Sequence, residues 1–396
     1  MKNVDEKKGE SGISLSGSFR DYMMYIALIV IFIIFTIVTK GLFLTARNIS
    51  DLVNQTGYVA VLAIGMTLVL IIRHIDLSVG YVAGFAGAVA AKMLTKGVPV
   101  GLVIALVLLL GIGIGAYQGF LVAKIKVPAF VVTLAGMFIF RGCLSLVTAQ
   151  TGTIIVTNEI FKTFSNGYIP DIPFAGASEF HFLTMAIGGI GVLLVIFIET
   201  KKRRDLEKYN FQTNSKWIYI GKIVFLSAII LLVTWMLANY KGIPWTACIV
   251  GVVLVIYNFV LNKTRFGRSI YGIGGNQEAA EFSGINVTRV TFIVFVSMGM
   301  LSALAGILYT SRLASATPTA GLGFEMDTIA SAYIGGVAVS GGIGKVTNSI
   351  IGALVIISLT NGMNLLGVDI SVQYIVKGIV FIVAVMFDVV SRKQYK

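Results

Sequence analysis

The stretch of this sequence most suggestive of chemistry is a glycine-rich run that ends in a lysine, at residues 341–345. A phosphate-binding P-loop needs a glycine five residues before its Gly-Lys pair and a serine or threonine directly after it, because backbone N–H groups and the hydroxyl hold the phosphates and their magnesium ion. Here Val339 occupies the first position and Val346 follows the lysine. The sequence therefore predicts that this chain does not bind ATP through such a loop.

Residues suited to catalysis or metal binding are few and scattered. The two histidines, His74 and His181, belong to no His-Glu-x-x-His pair, and no Gly-x-Ser-x-Gly elbow occurs. Cys143 and Cys248 both lie in apolar segments, where two lone buried thiols are expected rather than a disulfide. We predict no catalytic residue, no metal site and no cofactor bound by this chain, which is therefore not expected to be an enzyme.

A polar island at residues 262–289, between two long apolar runs, carries the clearest local signals. Asn276 is suited to cap the N-terminus of a short helix, and Glu278 falls in its first turn, where the helix dipole favours a negative charge. Gly284 supplies the left-handed residue that ends the helix, and Phe282 is left as an apolar knob. About two turns of helix are marginal in water alone. We expect this helix to be held by the membrane helices behind it, by a partner in front, or by both.

The elements around this island are apolar. Of 396 residues, 57% are hydrophobic and 12% are charged, whereas soluble domains carry roughly 25% charged residues. Because a crossing needs about 20 apolar residues, the apolar runs predict an all-α, polytopic transmembrane helix bundle with about 10 spans and at most 12. Two runs, 327–340 and 347–360, are short and are expected to form a broken or re-entrant pair.

Lysine and arginine predict which side of the membrane each loop faces. With the N-terminus in the cytoplasm, basic residues favour the cytoplasmic loops by about three to one. Both tails, 1–21 and 391–396, are then cytoplasmic and flank a membrane domain at 22–390, in which the island 262–289 is cytoplasmic and the segment 148–181 is external. The net charge of +13 lies mainly in these loops, which favours membrane orientation over nucleic-acid binding.

One further stretch is expected to be a structural turn. In Ile75-Asp76-Leu77-Ser78-Val79-Gly80, a carboxylate ends one apolar run just before the next run begins. Asp76 or Ser78 can cap the helix that follows and satisfy N–H groups that lipid cannot. The residues assigned to this turn are Asp76, Ser78 and Gly80.

Three motifs carry a family resemblance. They are Gly65-Met66-Thr67 with Ile75-Asp76-Leu77-Ser78-Val79-Gly80, then Phe266-Gly267-Arg268-Ser269-Ile270-Tyr271-Gly272-Ile273-Gly274-Gly275-Asn276 with Ala279-Ala280 and Ser283-Gly284-Ile285, and then Gly335-Gly336 with Gly341-Gly342-Ile343-Gly344. Together they resemble the membrane-spanning subunit of ATP-binding-cassette importers for monosaccharides, in the ribose, xylose and multiple-sugar branch. The resemblance covers the chain from about residue 45 to the C-terminus.

The resemblance implies a permease subunit, in the bacterial cell membrane, for xylose or a similar pentose or hexose. It implies a cytoplasmic ATPase dimer that binds the ATP, an external sugar-binding protein and a second copy of the permease. The island then corresponds to the family's coupling loop, and Arg73-His74 departs from the small or uncharged residues that relatives carry there. The residues expected to couple the permease to the ATPase are Gly267, Arg268, Gly274, Gly275, Asn276, Glu278, Ala279, Ala280, Phe282 and Gly284.

A path for the sugar is expected along the apolar runs, since amides and aromatic faces suit a polyhydroxylated ring. The candidates are Asn54, Gln55, Phe130, Thr133, Phe138, Asn361 and Asn364. Core packing explains each of them as well, so both interpretations stay open. The alternative functions are a permease of the same fold for a nucleoside or a branched-chain amino acid, and a secondary carrier or channel.

Overall fold

The computed structural model describes residues 15–172, 180–209 and 215–393, and this part of the chain is almost entirely helical. Of the two predicted tails, residues 1–14 and 394–396 lie outside the described residues. One short antiparallel pair of strands, β1 (Ile154–Ile155) and β2 (Ser315–Ala316), is present in the described part. The helices are α1 (Leu15–Val38), α2 (Ala46–Ile71), α3 (Val79–Thr95), α4 (Val100–Ala123), α5 (Ala129–Thr148), α6 (Glu159–Asn166), α7 (Phe182–Lys208), α8 (Lys216–Ala238), α9 (Trp245–Lys263), α10 (Arg265–Gly275), α11 (Gln277–Phe282), α12 (Val287–Leu313), α13 (Phe324–Ile334), α14 (Val346–Leu365) and α15 (Ile370–Lys393).

The predicted polytopic helix bundle is confirmed. Within the described residues, eight helices are long and apolar enough to cross a membrane, namely α2, α4, α5, α7, α8, α9, α12 and α14. Three shorter apolar helices, Met24–Val38, Val79–Thr95 and Ile370–Met386, accompany them. The chain is therefore a multi-pass membrane protein.

Helix α13 is too short to cross by itself. Its 11 residues span about 16 Å, roughly half of a hydrocarbon core of about 30 Å. The expectation of a broken span is therefore confirmed for the run at 327–340. It is wrong for the run at 347–360, because α14 continues for 20 residues and is one of the eight long helices.

Two segments that the charge bias assigns to opposite sides of the membrane, 341–346 and 148–181, contact opposite ends of α2. At one end, the backbone N–H of Gly342 donates to the carbonyl of Ile71 at 2.9 Å, where α2 ends. Near the other end of α2, the Ser50 hydroxyl donates to the Tyr168 hydroxyl at 3.1 Å. We call the first the inner end and the second the outer end, after the predicted cytoplasmic and external sides.

The core is built around α2 and α12. In α2, 89% of the apolar window is buried, and in α12 the share is 67%. Gly111, Gly115 and Gly119 form one face of α4, and their missing side chains let its backbone approach α12 closely. By contrast, α7 and α8 pack mainly on each other at the periphery, with 11% and 6% of their windows buried.

Two helix N-termini meet inside the bundle. Helix α3 begins at Val79, and α13 begins at Phe324 after a segment that returns from the outer end. Gly80 and Gly321 lie where they meet, and a Cβ on either glycine would collide with the carbonyl oxygen of the other. Only glycine allows this contact, so it fixes α13 against the start of α3.

Candidate functional site

The polar island folds into two consecutive helices at the inner end, α10 and α11. The Thr264 side chain caps α10 by accepting from the N–H of Gly267 at 3.2 Å. The Asn276 side chain caps α11 by accepting from the N–H of Ala279 at 3.0 Å, as the sequence predicted. Glu278 lies in the first turn of α11.

The C-terminus of α11 is a Schellman motif, which explains how a six-residue helix persists. Gly284 is left-handed at φ +82°, as predicted, and its N–H donates to the carbonyl of Glu281 at 2.9 Å. The N–H of Ile285 donates to the carbonyl of Ala280 at 3.0 Å. Ala280 belongs to the apolar core that contains α2 and α12, and Ile285 packs against that core. Capping at both ends and an apolar base therefore hold α11 in place.

Of the ten predicted coupling residues, three are buried against the bundle and seven are exposed at its inner end. Gly267, Gly274 and Ala280 are buried. Phe282 is 92% exposed, as expected of an apolar knob. The other exposed members are Arg268, Gly275, Asn276, Glu278, Ala279 and Gly284.

Helix α10 is fastened to two distant segments. The guanidinium of Arg73 donates through Nε to the carbonyl of Gly274 at 2.8 Å and through a terminal nitrogen to the carbonyl of Gly275 at 2.6 Å. The Tyr271 hydroxyl donates to the carbonyl of Gly344 at 2.7 Å, and burial raises the pKa of Tyr271, so this group keeps its proton. A Cβ on Gly274 would collide with the carbonyl oxygen of Ile71. The stretch between the two parts of the first motif thus meets the second and third motifs at one joint.

Sequence reasoning missed α10 and the role of Arg73. Glycine has a low helix propensity, and α10 contains Gly267, Gly272, Gly274 and Gly275, so its sequence does not indicate a helix. Arg73 was noted only as a departure from the family pattern. Its cation lies at the C-terminus of α10, where the helix dipole favours positive charge, and this signal needs the tertiary structure to be recognised.

The predicted structural turn lies inside the bundle. Asp76, 2% exposed, accepts from the N–H of Ser78 at 2.8 Å and from its hydroxyl at 2.7 Å. The Ser78 hydroxyl in turn accepts from Gln118 Nε2 at 2.8 Å. Ser78 occupies the N-cap position of α3, but its side chain accepts from no N–H of that helix. The turn therefore links the start of α3 to α4.

The residues proposed for the sugar path lie in several places. Phe130 and Phe138 are exposed on α5, whereas Thr133 is fully buried and donates to the carbonyl of Ile75 at 3.2 Å. Asn361 is buried and accepts from Asn48 Nδ2 at 3.0 Å.

The three remaining candidates lie in α2 and α14. Asn54 is buried, and within the described part of the chain its Oδ1 has no hydrogen-bond partner. Gln55 is half-buried. Asn364 faces a cavity between α13, α14 and α15.

No cluster of His, Cys, Asp or Glu suited to a metal ion occurs among the described residues. Cys143 and Cys248 both carry free, partly buried thiols.

The chain matches known transport proteins along nearly its full length. It is 37% identical over 392 residues to the xylose transport system permease protein XylH of Escherichia coli, which covers 99% of this chain and 97% of the relative. For XylH of Haemophilus influenzae, the identity is 38% over 374 residues, or 94% and 97% of the two chains. For the ribose import permease protein RbsC of Escherichia coli, it is 34% over 369 residues, or 93% of each.

No solved structure matches the chain significantly. The family model described as "Branched-chain amino acid transport system / permease component" matches residues 48–385. That match covers most of the membrane domain, and the chain therefore belongs to this family of permease components.

Proposed function

We propose that this chain is the permease subunit of a monosaccharide importer and forms the membrane path for the sugar. Its relatives are named for xylose and ribose, so the proposed substrate is a pentose or a similar hexose. The chain itself carries no catalytic site in this proposal. ATP is bound and hydrolysed by a dimer of cytoplasmic ATPase subunits.

The observation that supports this proposal most directly is the exposed helix α11 on its fixed base. An almost fully exposed aromatic ring, Phe282, on a doubly capped helix has the form of an anchor for a pocket on a partner protein. A rigid helix passes on a displacement as a unit, whereas a flexible loop would absorb it. The joint of Arg73, Tyr271 and Gly274 carries that displacement to α2 and to the turn before α14.

The remaining partners follow from the same proposal. A sugar-binding protein docks at the outer end, and a second copy of this chain completes the path within the bacterial cell membrane. Nucleic acid has no part in it. The coupling surface comprises the exposed residues of α10 and α11, and the turn of Asp76 and Ser78 has a structural role.

Reconstitution tests the proposal. Liposomes that contain the chain with its ATPase and binding protein are expected to take up radiolabelled xylose or ribose only when ATP reaches the ATPase. Phe282→Ala should leave the amount of permease in the membrane unchanged and lower ATPase capture at least tenfold. Trp217→Ala, which removes another highly exposed aromatic ring (82%), is the matched control. Uptake without nucleotide would contradict the proposal.

A branched-chain amino acid is the second candidate substrate, because the matching family model carries that description. Competition between leucine and xylose for uptake into the same liposomes distinguishes the two candidate substrates. Leucine uptake without sugar uptake would replace the sugar assignment while keeping the permease assignment.

A further inference from the structure

A cavity of about 520 Å³ lies between α2, α13, α14 and α15. Sites for small molecules usually measure about 300–1,000 Å³. Its walls extend from Asn364 and Ile370, near the outer end, to Tyr58 and Phe381 deeper in the bundle. Along α15, Ile370 and Phe381 are 11 positions apart, which corresponds to about 16 Å. The cavity therefore occupies the outer half of the membrane-spanning part.

An ion pair crosses this cavity from α15 to α13. Lys377 Nζ lies 3.0 Å from Asp327 Oδ2, and the two side chains are only 18% and 14% exposed. Charged groups at this depth are costly, and they are retained chiefly where they line a solute path or a water-filled cavity. The pair is internally neutral, so it presents polar atoms without an unbalanced charge.

Glu325 also lines the cavity. It is 8% exposed, and within the described part of the chain its Oε2 has no hydrogen-bond partner. That oxygen is enclosed and lies against Gly80 at the start of α3, so a ligand in the cavity does not reach it. The polar groups offered to a ligand are therefore those of the ion pair and of the neighbouring amides.

Amides and aromatic rings complete the wall. Gln373 Nε2 donates to Asn364 Oδ1 at 2.8 Å, and this bond leaves the Asn364 amide N–H groups available to a ligand. The rings of Tyr58 and Phe324 pack 4.7 Å apart at the deep side. Donors, acceptors and apolar ring faces together suit a molecule whose hydroxyl groups both donate and accept.

We propose that this cavity binds the monosaccharide during its passage, with Asn364 contacting its hydroxyl groups. This inference rests on the proposed function of sugar import. A neutral sugar fits better than an ionic solute, because Lys377 is already paired with Asp327 and offers no free charge.

Gly378 offers a direct way to fill the cavity. It lies in the cavity wall, and a Cβ built on it would meet no atom within 4 Å. The series Gly378→Ala, Gly378→Val and Gly378→Phe therefore adds side-chain volume in steps at the cavity wall, beginning with a methyl group that meets no atom of the folded chain. Gly221→Phe on the peripheral helix α8 is the matched control, since a Cβ there also meets nothing within 4 Å.

The series is assayed in liposomes with the complete importer, using radiolabelled xylose and glucose. We expect uptake to fall as the side chain at position 378 grows, and glucose uptake to fall before xylose uptake. Gly378→Phe should lose at least tenfold in uptake, whereas uptake by Gly221→Phe should equal that of wild type. Basal ATP hydrolysis should stay within twofold of wild type. A misfolded variant would lose the uptake of both sugars together with ATP hydrolysis. Equal uptake by wild type and Gly378→Phe would overturn the cavity assignment.

A polar substitution tests the contact itself. Asn364→Ala is expected to raise the KM for the sugar at least fivefold and to change the xylose-to-ribose preference. Asn239→Ala, at the outer end of α8, is the control. An unchanged KM and preference in Asn364→Ala would overturn the assigned contact. A wild-type importer that takes up no monosaccharide would instead contradict the proposed function.

Discussion

Arg73 gives the sharpest test of how the inner-end joint works. Within the described residues, its guanidinium makes two of the three side-chain hydrogen bonds that join α10 to α2 and to the turn before α14; Tyr271 makes the third. Arg73 also has a left-handed backbone at φ +64°, which glycine adopts more readily. We expect Arg73→Ala to loosen α10 and to uncouple ATP hydrolysis from transport.

The size of the effect follows from the geometry. Hydrogen bonds from charged donors contribute about 1.5–3 kcal/mol each when buried, but Arg73 is exposed, and exposed charge interactions contribute about 0–1 kcal/mol. Taking about 1 kcal/mol for each of the two bonds, the docked state loses about 2 kcal/mol, or about 30-fold in its equilibrium. Arg73→Lys keeps the positive charge but lacks the forked guanidinium that donates to two carbonyls at once. It should therefore lose about half of this free energy.

The assay is the number of sugar molecules transported per ATP hydrolysed in liposomes. Arg73→Ala should lower this ratio at least fivefold while hydrolysis continues. The control is Lys124→Ala, which removes another exposed basic side chain at the inner end and should leave the ratio unchanged. Arg73→Gly separates the side chain from the backbone, because it relieves the left-handed strain but also removes the guanidinium. A normal ratio in Arg73→Gly would refute the argument, since the hydrogen bonds would then be dispensable.

Three further predictions concern glycine geometry and an outer-end carboxylate. Gly284→Val forces a β-branched residue into φ +82° and should destabilise α11 by about 1–3 kcal/mol. Uptake should therefore fall while the amount of protein in the membrane is unchanged. Gly284→Asn should be tolerated, since asparagine adopts the left-handed conformation more readily. Gly274→Ala should lower the unfolding temperature through an overlap costing about 1–3 kcal/mol, whereas Gly275→Ala, with open space around it, should not. Backbone N–H donors, first from Leu183 and then from Phe182, hold the pKa of Asp171 below its usual range. The attachment they provide at the start of α7 is therefore present above that range and is lost as the pH falls through the lowered pKa. Hydrogen exchange in the first turn of α7 should rise in this acid window for wild type, and Asp171→Asn should show no such step.

Local signals predicted much of helix α11. Asn276 and Gly284 were identified as the ends of α11 because capping depends on residues a few positions apart. The exposure of Phe282 followed from a helix with a polar face around it. Helix α10 was not predicted, because Gly267 and Gly274 are explained only by the backbones that they touch.

The proposed sugar path was the least predictable part. Amides and aromatics near the outer ends of spans have no periodic or capping signature, so the sequence could not separate wall residues from packed ones. Asn361 and Asn364 illustrate this, since they are three residues apart on α14. Asn361 accepts a hydrogen bond from Asn48, whereas Asn364 faces the cavity.

The sequence by itself determined the membrane class, the helical architecture, the family and the helix presented at the inner end. Hydropathy, charge distribution and capping are properties of neighbouring residues, so they can be read without coordinates. Only the tertiary structure decided which side chains share a joint or a cavity. Arg73 and Gly274 are 201 residues apart, and Asp327 and Lys377 are 50 apart. Such pairs are set by how the helices pack, which no local pattern specifies.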